Sequence, residues 1–71
     1  MEKVELKLRD EYIKLGQALK AAGIAESGVE AKFLVQDGEA LVNGEKEFQR
    51  GKKLYDQDEV LCRDILIKIV K

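Results

Sequence analysis

The chain has 71 residues, enough for one small domain. At that length about 60% of the unfolded surface is buried on folding, which leaves little room for a deep, water-excluding active site. Histidine is absent, so the usual general base near neutral pH and the commonest metal ligand are missing.

The one cysteine, Cys62, can form neither an internal disulfide nor a cysteine cage for zinc, and it suits a reducing, cytoplasmic setting. No apolar run approaches the roughly 20 residues of a membrane span, and the charged start MEKVELKLRDE does not read as a signal peptide. No membrane partner and no cofactor is expected. With 13 basic and 14 acidic residues, net charge gives no direct pointer to nucleic acid. Its distribution is more informative: Lys46 to Lys53 (KEFQRGKK) holds four bases and one acid, and Asp56 to Glu59 (DQDE) holds three acids.

In chain order, residues 3–9 alternate Val4, Leu6 and Leu8 with charged residues, the period of a half-buried strand. Asp10 is then a candidate cap for a helix carrying Leu15, Ala18, Leu19 and Ala22 on one face and Lys14, Gln17 and Lys20 on the other. Gly23 ends it. Ser27 and Glu30 form an S-x-x-E capping box for a second helix, in which Val29, Ala31, Phe33, Leu34 and Val35 give a broad apolar surface. Gly28, Lys32 and Gln36 lie four apart on a narrow polar face, and Asp37-Gly38 stops the helix.

Ala40 to Val42 reads as a strand, Asn43-Gly44 as a hairpin turn, and the return arm includes Phe48. Lys52 to Tyr55 is a further strand edge, followed by the polar turn Asp56 to Asp58. Glu59 to Arg63 and Ile65 to Val70 are two more strands around Arg63-Asp64. The order gives an α+β fold: a small single domain over residues 1–71, two packed helices against a small, mostly antiparallel sheet of four to five short strands.

The run LGQALKAAGIAESGVEAKFLVQDGEALVNGE, with RGKKLYDQDEV after it, resembles the RNA-binding domain first known in small-subunit ribosomal protein S-four, the α-L motif. It is most similar to the stand-alone bacterial members. The matching positions, over about residues 13–60, are Leu15, Leu19, Gly23, Ser27, Ala31, Lys32, Gly38, Val42-Asn43-Gly44, Arg50-Gly51-Lys52-Lys53, Asp58 and Val60. Gly28 follows the serine where the wider family often has a basic residue, and Phe48 and Gln49 stand where a threonine and a second arginine are often found.

The resemblance implies binding to structured RNA, such as ribosomal RNA or a ribosome-assembly intermediate, with no catalysis. Its expected contact residues are Arg50, Lys52 and Lys53 first, then Lys32, Lys20, Asn43 and Lys46. Lysine and arginine contacts to phosphate release counterions, and duplex RNA is read mainly through shape and 2′-hydroxyls.

The bland readings stand beside these. A basic loop is ordinarily a solvated face, Asn43-Gly44 is explained by its turn, Ser27 by its cap, and Phe48 and Tyr55 by packing. A buried thiol is expected at Cys62. The carboxylates of Asp56, Asp58 and Glu59 are read as a solvated turn. The competing function is a protein-interaction adaptor on the same fold without RNA binding.

Overall fold

The computed structural model describes residues 1–71. Strand β1 (Glu2–Lys7) turns Val4 and Leu6 toward the core and leaves Lys3, Glu5 and Lys7 in solvent, as its alternation requires, while Glu2, on the Val4 side, is exposed at the strand's start. Helix α1 (Leu15–Ala21) buries Leu15, Ala18 and Leu19, and α2 (Gly28–Gln36) buries Ala31, Leu34 and Val35. Strands β3 (Ala40–Val42), β4 (Glu45–Lys46), β6 (Glu59–Cys62) and β7 (Ile65–Val70) join β1 in a five-stranded sheet of order β1-β7-β6-β3-β4. All its pairings are antiparallel except β1 with β7. Leu19, Val35, Val60, Ile67 and Ile69 are fully buried in one core of 16 residues.

Turn chemistry fixes the hairpin registers. Asn43 (φ 52°) and Gly44 (φ 87°) both take the left-handed region that a two-residue hairpin turn demands, placing Val42 opposite Glu45. Arg63 (φ 50°) and Asp64 (φ 63°) do the same between β6 and β7, where no glycine advertised the turn. At Gly38 (φ 76°) an added Cβ would lie 3.3 Å from the Phe48 ring, so glycine also makes room for that side chain.

Three expectations are corrected. Asp10 does not cap α1: the helix begins at Leu15, and Ile13–Lys14 form a two-residue strand, β2, paired with β5 (Lys53–Leu54). The amides that a cap would have satisfied donate instead to the loop before β5, Leu15 N to Lys52 O (2.8 Å) and Gly16 N to Arg50 O (2.9 Å). Second, Val29 and Phe33 do not join the apolar face of α2; they are 63% and 57% exposed. They lie about 100° and 140° around the helix from Gly28, opposite the buried Ala31, Leu34 and Val35. Third, the arm after Asn43-Gly44 is strand only to Lys46, with one further backbone bond from Glu47 N to Ala40 O (3.1 Å), so Phe48 lies beyond β4 and is 57% exposed.

Candidate nucleic-acid interface

Docking the loop 50–52 onto the start of α1 creates a groove. The two-residue ladder β2–β5, with Ile13 opposite Leu54 and Lys14 opposite Lys53, anchors this loop by burying Leu54 completely. The same two backbone bonds that replace the helix cap then hold Arg50 over Gly16, so closely that a Cβ there would sit in contact, 3.4 Å from Arg50 Cβ. On the other side, α2 contributes Gly28 and Ala31. It is held at its N-terminus by Ser27, whose Oγ accepts from Glu30 N at 3.2 Å; of the two expected capping bonds, this is the one that forms.

The resulting groove of about 380 Å³ is lined by Lys14, Gly16, Gln17, Lys20, Gly28, Ala31, Arg50 and Gly51. Three of these are cations and none is an acid. Glycine and alanine form its floor, so nothing bulky separates a ligand from the cations. The protein's three ion pairs, Met1–Asp64, Arg63–Glu39 and Lys68–Glu59, all lie elsewhere, so Lys14, Lys20 and Arg50 are not neutralised internally. A nearly neutral chain thereby presents a locally positive concavity.

Of the residues expected from the sequence, Arg50 and Lys20 line this groove. Lys52 and Lys53 belong to the adjoining loop and strand, both exposed, and Lys53 Nζ lies 4.8 Å above the Tyr12 ring, a cation–π contact. Lys32 is exposed on α2 one turn beyond Gly28. Lys46 does not join them: its side chain passes Gly38 beside Phe48. Asn43 is exposed, with Nδ2 donating one bond to Asp58 Oδ1 (3.1 Å) and Oδ1 accepting from Glu59 N (2.9 Å).

The sequence reading left out Lys14, Gly16 and Gly51. Lys14 had a signal, since it shares the polar face of the first helical pattern with Gln17 and Lys20; nothing local marked Gly16. Gln17 Oε1 accepts from Lys14 N at 3.2 Å, closing the first turn of α1.

The acidic turn is structural. Asp58 Oδ2 accepts from Tyr55 N (2.7 Å), Asp56 Oδ1 from Lys71 N (2.9 Å), and Glu59 pairs with Lys68 (3.3 Å). Tyr55 stays half-exposed against Tyr12, ring centroids 6.0 Å apart. The Cys62 thiol is buried, and burial pushes its pKa up, with Glu39 adding to the rise and Arg63 opposing it. No helix is long and apolar enough to cross a membrane.

Comparison with known proteins agrees with this architecture. A probable ribosome maturation protein, RlbA, of Bacillus subtilis (strain 168) is 48% identical over 50 residues, which cover 70% of each chain. The S4 domain family matches residues 6–70. With nearly its whole length matched, and with the helix pair and hairpin in place, the chain belongs to the S4 domain family.

Proposed function

We propose that this protein is a non-catalytic RNA-binding module that docks on folded RNA, with ribosomal RNA or a ribosome-assembly intermediate as its target. The observation that carries this reading is the groove itself: Lys14, Lys20 and Arg50 around a floor of Gly16, Gly28 and Ala31, with no acid in the lining. The small floor residues let a sugar–phosphate strand come close to the backbone, and the three cations neutralise its phosphates. Lys52 and Lys53 extend the positive surface along the adjoining loop, and Lys32 extends it over α2. Asn43, exposed in its turn, ties the hairpin to Asp58 and Glu59 and keeps one Nδ2 hydrogen for an RNA oxygen.

Binding by phosphate contact and shape suits duplex RNA, whose deep major groove hides its base edges. The choice of a ribosomal target is supported by the relative named for ribosome maturation.

Fluorescence anisotropy against structured ribosomal RNA fragments and a matched DNA duplex tests this. Three neutralised phosphates make affinity fall roughly 40-fold between about 50 and about 200 mM salt. The combined Arg50→Ala, Lys52→Ala and Lys53→Ala variant is expected to keep its fold and lose most RNA affinity. A folded wild-type protein that ignores RNA at low salt, while retaining a protein partner after nuclease treatment, would establish the adaptor function instead.

A further inference from the structure

Three of the most exposed large apolar side chains are Val29, Phe33 and Phe48. The aromatic pair of the protein is Tyr12 with Tyr55, which leaves Phe33 and Phe48 without ring partners; of the two, Phe48 has a ring edge against Gly38, whereas Phe33 stands on the outer side of α2. Resting on the RNA-binding reading above, we propose that Phe33 is a stacking platform for an unpaired base of the RNA held in the groove.

Phe33 sits on a nine-residue helix whose opposite side is in the core, so its ring has no fold to stabilise and faces solvent at 57% exposure. Around α2 from Gly28 at the groove, Lys32 comes at about 40°, Gln36 at about 80°, Val29 at about 100° and Phe33 at about 140°. On α2 the path from groove to ring therefore passes Lys32, Gln36 and Val29 and no acid; half-buried Glu30 and exposed Asp37, one turn after Phe33, bound it on the far side. Val29, one turn before Phe33 on the same side, widens the apolar surface beside the ring.

This sequence of chemistry fits a nucleotide leaving a helix. Its phosphate meets Lys32, and its base, no longer paired, lies on Phe33. An apolar pair reached from a cationic groove past Lys32, which forms no ion pair, favours a partner that carries phosphate and base together. Stacking on an aromatic ring accepts any base, so the site selects for an unpaired nucleotide at one place rather than for a sequence. It adds to shape recognition a preference for RNA helices interrupted by a bulge or loop.

Two RNA hairpins settle the question, identical except that one carries a single bulged 2-aminopurine. The wild-type protein is expected to bind the bulged hairpin roughly 5- to 100-fold more tightly and to quench the probe on binding. Phe33→Leu, which keeps the exposed apolar character without the ring, removes both effects while leaving affinity for the uninterrupted hairpin unchanged. Phe33→Trp restores them.

Equal affinity for the two hairpins, or a preference that survives Phe33→Leu, overturns the proposal. Loss of binding to both hairpins in the wild type would instead overturn the RNA-binding reading. Unchanged RNA binding, with loss of a nuclease-resistant protein partner in Phe33→Leu, would assign the patch to protein docking and overturn the stacking role.

Discussion

The amide of Gly16 donates to the carbonyl of Arg50 at 2.9 Å, and this bond joins the first turn of α1 to the basic loop. It makes the arginine a wall of the groove and the glycine part of the floor. Gly16→Ala places a methyl 3.4 Å from Arg50 Cβ and 4.0 Å from Ala31 Cβ, a contact the fold can absorb. The expected outcome is stability unchanged or raised by up to about 1 kcal/mol, because alanine favours helix over glycine. RNA affinity falls a few-fold, and Gly16→Leu extends the loss while displacing the loop. Paired denaturant melts and binding titrations check this; affinity insensitive to Gly16→Leu would remove the groove floor from the interface.

Asn43 serves the hairpin twice, through its positive φ and through the two bonds to Asp58 and Glu59. Asn43→Gly keeps the turn and loses the bonds, at about 1–2 kcal/mol. Asn43→Ala loses the bonds and adds left-handed strain of about 1–2 kcal/mol. Alanine is therefore expected to be the worse substitution, by roughly 4–16 °C in melting temperature. Equal melting temperatures for the two variants would mean that the turn carries no backbone strain.

Gly28 opens α2 in the groove lining, and an added Cβ meets nothing within 4 Å. Gly28→Lys is accommodated, with the gain in helix propensity offset by a cation at the positive end of the helix dipole. It is expected to tighten RNA binding several-fold at low salt and to steepen the salt dependence by about one counterion. An unchanged slope in the titration series would place Gly28 away from the phosphates.

Cys62 has its thiol pKa raised by burial first and by Glu39 second, with Arg63 opposing. The folded state therefore holds the proton longer than the unfolded chain does. The stability this contributes is complete below the unfolded thiol pKa of about 8.5, and it falls as pH rises from there through the folded value. Denaturant melts at intervals from neutral to alkaline pH should show this decline, shallower in Cys62→Ala. Thiol reagents should label Cys62 only as fast as the domain opens; rapid labelling under native conditions would contradict the burial.

The correspondence between sequence and structure divides by the range of the interaction. The capping serine, the Asn43-Gly44 turn and the alternation of β1 are legible because each rests on neighbours within a few residues. The sequence places the start of α1 too early because Asp10 is a good local cap, whereas the amides of Leu15 and Gly16 find partners at Lys52 and Arg50. The exposure of Phe33 is not legible in the sequence, because helical spacing shows which residues share a side of α2 but leaves open how wide a stripe the core covers.

By itself, then, the sequence determined the order of the two helices and the main-sheet strands, the hairpin turns and the family resemblance, all written in local backbone preference and short-range periodicity, but not strand β2. Only the tertiary structure decided that Lys14, Lys20 and Arg50 share one groove while Lys46 points elsewhere. It likewise decided that Phe33 faces outward. The reason is physical: the position of a loop relative to a distant helix is set by the pairing of β2 with β5 and by the burial of Leu54, and no local propensity in either segment encodes that meeting.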